Sequence, residues 1–341
     1  MRNTKIALAV LALVASTAAM AEAKVYGALE ASMNKVSNGN TVFDGSGGWG
    51  GSYFGIAGSD ELEGGMKASF ALEGGLDIGT GAQANGGTTT ATATGATFNR
   101  QANVALSGDF GTVKGGLQFD PWIAAGATGT NGNNNFLVPL LVMTGNSGAS
   151  NGGSGTSTTG GFFIPNSYSY TSPTMGGFSA SVLGSTGNGV QANEYNSYAA
   201  NYAQGDVAVG AAYHKRNGAA AANVSSGSLI SAGYQMGAAR LGGGYVSSKT
   251  DAANSTINTY FVGVAYNLGA PTLHLNYAKN NETSSKSIIN AAVQYTLSKN
   301  TFAFVSASRG NNGAGSLYAP SVANSGTNSQ TGYTVGVRTQ F

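Results

Sequence analysis

A period of two runs through this chain and limits what it can fold into. From Lys24 to Asn34, Val25, Gly27, Leu29, Ala31 and Met33 share one parity, while Lys24, Tyr26, Glu30, Ser32 and Asn34 share the other. Met66, Ala68, Phe70 and Leu72 alternate with Lys67, Ser69, Ala71 and Glu73. Farther on, Leu273, Leu275 and Tyr277 oppose Thr272, His274 and Asn276, and Tyr333, Val335, Val337 and Phe341 oppose Thr334, Gly336, Arg338 and Gln340. Successive strand side chains point to opposite faces, so the pattern predicts β-strands with one apolar and one polar side. About sixteen such segments follow one another. Each is close to the roughly ten residues that a tilted strand needs to cross a bilayer.

The connections alternate between tight turns and long polar stretches. Leu106–Gly111, Ser172–Gly177, Ala203–Asp206, Asn267–Pro271 and Leu297–Asn300 read as tight turns, and Leu76–Thr97, Pro121–Pro165, Lys215–Ser228 and Gly310–Gln330 as long loops. The 6 prolines are all expected in connections, where a missing N–H breaks no ladder.

The polar parity is largely uncharged. Charged residues make up 9% of the chain, against about a quarter in a soluble domain. A soluble sandwich would carry charge on its polar face, so the apolar, aromatic parity is assigned to the outside and the polar parity to the inside. Lipid cannot satisfy an open sheet edge, so the sheet must close. The expected fold is all-β, a transmembrane antiparallel β-barrel of about 16 strands.

Other classes lose support. With 0 cysteines there is no thiolate metal site, CxxC centre or disulfide framework. A formal charge of +2 is too small for a nucleic-acid binder. Hydrophobic residues at 41% are too many for a disordered Gly/Asn/Ser-rich chain. No HExxH, EF-hand, P-loop or G-x-S-x-G pattern occurs, and His214 and His274 have no carboxylate nearby in sequence. Neither an enzyme nor a cofactor is expected.

Arg2 and Lys5, the apolar run Ile6–Val14 and the small-residue end Ala19-Met20-Ala21 predict a cleaved signal peptide over 1–21, with the barrel over 22–341. Ala21-Glu22-Ala23 offers a second cut two residues on. Without Arg2 and Lys5, the 16 basic residues become 14 and balance the 14 acidic ones.

Several stretches in order, VYGALEAS (Val25–Ser32), FGIAGSDELEGGMKASFALEGG (Phe54–Gly75), FNRQANVALSGDFGTVKGG (Phe98–Gly116), NSYSYTSPTMGGFSASV (Asn166–Val182) and GYTVGVRTQF (Gly332–Phe341), resemble the general porins of Gram-negative bacteria, especially β-proteobacterial ones. The resemblance implies a sixteen-stranded barrel in the outer membrane, assembled as a homotrimer, with the third long loop folded into the lumen. It implies passive diffusion of ions and small hydrophilic solutes. It also implies that Phe341 is the terminal aromatic recognised by the barrel assembly machinery. In such porins acids on the third loop face a basic cluster on the wall and set a field across the constriction.

Three departures stand out. Tyr53 (SYFG) and Leu117 (GGLQ) replace arginines usual in the family, and Arg100 (FNRQ) keeps one. The third loop, Pro121–Pro165, has no charged residue, and the uncharged stretch runs 73 residues to Asn193, with Asp120 at its edge. That loop also holds the apolar octet Phe136–Met143. The expected pore-lining residues are Arg100, Lys67, Lys24 and Arg338 as a basic stripe, with Asp120, Glu30 and Glu73 as acids. Strict alternation would put Arg100 outward with Ala102, Val104 and Leu106, whereas the resemblance puts it in the lumen. Weak ion selectivity follows. The alternative is a solute-selective channel whose uncharged third loop forms the binding site.

Overall fold

A computed structural model describes residues 23–37, 39–45, 49–83, 97–130, 163–186, 194–217, 225–251, 254–281, 285–311 and 329–341. The leader and the octet Phe136–Met143 lie outside the described residues. In chain order the strands are β1 (Lys24–Val36), β2 (Thr41–Asp44), β3 (Ser52–Glu61), β4 (Lys67–Asp77), β5 (Ala82–Gln83), β6 (Gln101–Gly108) and β7 (Gly111–Phe119). Helix α1 (Pro121–Thr128) follows, then β8 (Phe163–Thr171), β9 (Phe178–Ser185), β10 (Tyr195–Gln204), β11 (Val207–Arg216) and β12 (Ser226–Met236). The chain ends with β13 (Ala239–Thr250), β14 (Ser255–Asn267), β15 (Pro271–Asn280), β16 (Ser287–Thr296), β17 (Thr301–Asn311) and β18 (Gln330–Gln340).

Two of these 18 strands, β2 and β5, are short flaps on the ends of β1 and β4, and the other sixteen form an antiparallel ring. The last strand meets the first in register from Ala28↔Gln340 to Val36↔Gly332, and β1 pairs β3 on its other side. Reciprocal backbone bonds of 3.1 Å between Gly27 and Phe341 extend the seam to the last residue. Closure leaves no edge for lipid to strand.

The alternation read from sequence is the alternation of the wall. On β18, Thr334 is 2% exposed and Val335 57% exposed. Two-residue turns such as Gly205–Asp206 and Gly237–Ala238 close one rim, and the strand ends joined by the longer connections form the other. Both turn glycines take positive φ, 59° at Gly205 and 57° at Gly237, where a Cβ is disfavoured. These two ends are the turn rim and the loop rim below.

Two prolines depart from expectation, and Pro271 opens β15, a first strand position that tolerates a missing N–H. Pro165 lies inside β8 rather than in a loop. The β7–β8 register passes from Gly116↔Ser167 to Gln118↔Ile164, leaving Pro165 and Asn166 unpaired at a bulge. The missing proline N–H therefore costs no ladder bond.

Candidate functional site, the inner wall and the docked helix

Two acid–base pairs occupy the inner wall where β1, β3, β4 and β18 meet. Glu30 is fully buried on β1. It accepts the Trp49 N–H at 2.5 Å and the Gly50 N–H at 3.1 Å, and Arg338 Nη1 donates to its Oε2 at 3.1 Å. Glu73 on β4 accepts Arg100 Nε at 2.5 Å, the Tyr26 hydroxyl at 2.9 Å and Gln101 Nε2 at 3.2 Å. Tyr53 stands between the pairs. Its ring centroid lies 4.5 Å from the Arg100 guanidinium carbon and 5.9 Å from that of Arg338. Tyr53 is thus an aromatic spacer between two guanidinium groups, a contact worth about 0.5–2 kcal/mol.

The tension over Arg100 disappears at this wall. Arg100 sits at a bend just before β6, so the strand alternation does not govern its direction. Its own N–H donates to the Glu73 carbonyl at 3.0 Å, and its side chain turns back to the Glu73 carboxylate. Its guanidinium also lies 5.0 Å from the Phe163 ring centroid.

Opposite, α1 lies on the inward faces of β10, β11 and β12. The helix starts because Asp120 caps it and Pro121 fills its first turn, where an N–H has no partner anyway. The Asp120 carboxylate accepts the Trp122 N–H at 3.0 Å, Ser197 Oγ at 2.5 Å and the Tyr195 hydroxyl. Burial pushes this carboxyl above the ordinary range, and those three donors oppose the rise. Ser231 Oγ donates to the Ala125 carbonyl at 2.6 Å. At Gly210 an added Cβ would come 2.5 Å from that same carbonyl oxygen, so the helix seats only on a bare backbone. Trp122 and Ala125 then join Ala199, Ala212, Leu229, Val246, Phe261, Ala278 and Ile288 in one buried apolar cluster.

The structure groups some of the expected residues and separates others. Arg100, Arg338, Glu30 and Glu73 converge around Tyr53. Lys67 lies at the turn rim, paired at 3.1 Å with Glu61, and Lys24 begins β1 at that same rim. Asp120 is 3% exposed, its carboxylate enclosed between α1 and β10 rather than presented to open lumen. Leu117 pairs with Ala102 on the outward parity, immediately before the break in register. Phe341 is 56% exposed at the seam. His214 and His274 are inward and buried, His214 against Trp122 and Tyr195, His274 against Trp49. Among the described residues no group of His, Cys, Asp and Glu could hold a metal ion.

Sequence reasoning missed α1, although Asp120-Pro121 is a helix-start signal. It also missed Trp49, Tyr195 and Ser197, whose partners lie 19, 75 and 77 residues away.

The comparisons agree with this architecture. The sequence matches the Gram-negative porin family over residues 7–315. Outer membrane porin protein 32 of Delftia acidovorans is 38% identical over 127 residues, which cover 36% of this chain and 33% of that relative. The match thus spans about a third of the relative's length. The anion-selective porin from Comamonas acidovorans superposes with a TM-score of 0.75 at 22% identity, over 94% of this chain and all of that one. The in-vitro folded trimer form of OmpT from Vibrio cholerae gives 0.65 at 12% identity, over 94% and 99%. A closed sixteen-stranded ring, apolar outside and polar within, and a family match along most of its length together make this chain a member of the Gram-negative porin family.

Proposed function

We propose that this chain forms a water-filled channel in the outer membrane for passive diffusion of ions and small hydrophilic solutes. The observation that carries this reading is the closed ring whose inward parity is polar and whose outward parity is apolar. Arg100 is matched by Glu73 and Arg338 by Glu30, so the wall around Tyr53 presents little net charge to a passing ion. The Comamonas relative is described as anion-selective. In this chain Tyr53 supplies no third cation, and weak selectivity follows. Arg100, Arg338, Glu30 and Glu73 are assigned to the pore wall, and Lys24, Lys67 and Asp120 to its rim and helix anchor.

Three further assignments belong to this reading. Residues 1–21 act as a cleaved export signal. Phe341, at the free end of the seam, presents the closing strand to the assembly machinery. The active form is a homotrimer, supported by an asymmetry of the outer face. Among the described residues, every tyrosine with a largely exposed side chain lies on β8–β18, from Tyr168 to Tyr333, and the outward parity of β1 through β7 carries none. Interfacial tyrosines mark lipid contact, so the bare sector suits protein contact.

Planar-bilayer recording tests the reading. Ohmic steps with a reversal potential near zero across a tenfold salt gradient are expected. Absence of conductance would refute the channel, and saturable block by a solute would favour the binding alternative.

A further inference from the structure

Two inward positions of β17 break the polar pattern of the wall. Phe302 and Phe304 share the parity of Ser306 and Ser308, yet both are aromatic. Trp49 accounts for them. Its ring lies 5.6 Å from Phe302 and 5.2 Å from Phe304, centroid to centroid, and 5.6 Å from His274 on β15. Trp49, Ala292 on β16 and Phe304 form one buried apolar cluster. The indole is thus seated across three strands, and burial of so large a side chain holds the segment that carries it.

The backbone beside that anchor faces the charges of the seam. The Trp49 N–H and the Gly50 N–H both donate to the Glu30 carboxylate, at 2.5 Å and 3.1 Å. Successive N–H groups turned on one anion make a nest that holds it in place. The Gly51 carbonyl accepts Arg338 Nη1 at 2.7 Å, and the same Nη1 donates to Glu30 Oε2 at 3.1 Å. Gly50 lies against the guanidinium itself, since a Cβ added there would stand 3.1 Å from Arg338 Cζ. Three consecutive uncharged residues therefore hold both members of the pair through their backbone, and Arg338 is 5% exposed. Glu73, in the other pair, is held by Tyr26 and Gln101 instead.

We propose that Trp49 is a positioning residue for ion passage, whose indole, anchored on β15–β17, keeps the backbone of 49–51 clipped over Glu30 and Arg338 and so keeps the Arg338 charge out of the lumen. The inference deepens the channel reading and rests on it. Arg338 has the longer side chain of the two, so a loosened clip lets the cation reach the current farther than the carboxylate does. Loss of the anchor therefore favours anions, and salt screens the shift.

Phenylglyoxal labelling of the detergent-extracted full-length protein tests this, with each arginine read separately by peptide mass spectrometry. W49A should label Arg338 at least about fivefold faster than wild type, as expected from the loss of a hydrogen bond to a charged group. Arg100, in the other pair, and Arg309, outward near the loop rim, should keep their wild-type rates. W49F, which keeps an aromatic anchor, should behave as wild type. Should W49A fail to fold, G50A is read in its place. It leaves the indole seated and displaces the guanidinium through the added Cβ, so Arg338 alone should label faster. In planar bilayers W49A should raise the anion-to-cation permeability ratio about twofold at low salt, and W49A/R338Q should match R338Q. Unchanged labelling of Arg338, equal acceleration at Arg100, or an anion shift that survives in the R338Q background overturns the proposal. Labelling needs no current, which separates failure here from failure of the channel reading.

Discussion

Arg338 Nη1 reaches the Glu30 carboxylate at 3.1 Å across the seam of the barrel, joining residues 308 positions apart in sequence. The same Nη1 donates to the Gly51 carbonyl at 2.7 Å. One side chain on the last strand thus ties the first strand to the connection leading into β3. The Arg100–Glu73 pair repeats this arrangement across β4 and β6, and the two pairs share the Tyr53 ring.

Arg100→Ala leaves Glu73 buried without its cation. Breaking one partner of a buried pair costs about 3–5 kcal/mol, so the thermal midpoint of the detergent-solubilised protein should fall. In bilayers the reversal potential should move toward cation preference, because an uncompensated carboxylate remains at the wall. A variant with wild-type midpoint and wild-type potential would remove the pair from the pore wall.

Tyr53→Arg is the opposite experiment. A third guanidinium between Arg100 and Arg338 outnumbers Glu30 and Glu73, and like charges at this spacing repel. Reversal potentials should shift toward anions, with a modest loss of stability from the missing ring contacts. A shift toward cations would show that the added side chain leaves the wall.

Asp120→Ala removes the cap of α1 and leaves Tyr195 and Ser197 without their acceptor. Loss of the cap costs roughly 0.5–2 kcal/mol, and each stranded hydroxyl adds to that. Hydrogen exchange across residues 121–130 should accelerate while the strands stay protected. Unchanged exchange in α1 would mean that the apolar cluster alone holds the helix.

The same residue gives a pH dependence. Burial raises the folded-state pKa of Asp120 above its unfolded value, so the folded state binds the proton more tightly. Stability from this site is greatest below the ordinary carboxylate pKa of about 4, and it declines as pH rises through the raised value. Exchange protection of α1 should therefore increase on acidification from neutral pH toward about 4, and Asp120→Asn should flatten that dependence. A wild-type profile that weakens with acid would contradict the sign.

Gly210→Val should displace α1 without opening the barrel, since its Cβ would strike the Ala125 carbonyl. Single-channel conductance should rise or become noisy while the circular-dichroism spectrum of the folded β-barrel is unchanged. Conductance identical to wild type would place the helix away from the current path.

Deleting Phe341 should reduce the amount assembled in the outer membrane far more than it reduces refolding in detergent. The seam keeps its register from Ala28↔Gln340 upward without this residue. Equal loss in both assays would make the residue structural alone.

The alternation of Tyr333, Val335 and Val337 with Thr334, Gly336 and Arg338 was enough to determine a strand, its two faces and the solvent each face meets, because a strand's period is local and lipid demands an apolar outside. Closure followed from the same constraint. Inward placement of Glu30, Glu73 and Arg338 was likewise legible as parity. Tertiary structure alone decided how these charges pair, since Arg338 meets Glu30 only when the ring closes and Arg100 meets Glu73 only because the chain bends ahead of β6. It also turned Asp120 from a charge at the edge of an uncharged loop into a buried anchor, through Tyr195 and Ser197 on a strand that the sequence separates from it by 75 and 77 residues. Strand faces are set by neighbours two residues away, whereas the electrostatics of the lumen are set by contacts across the barrel, which no local period encodes.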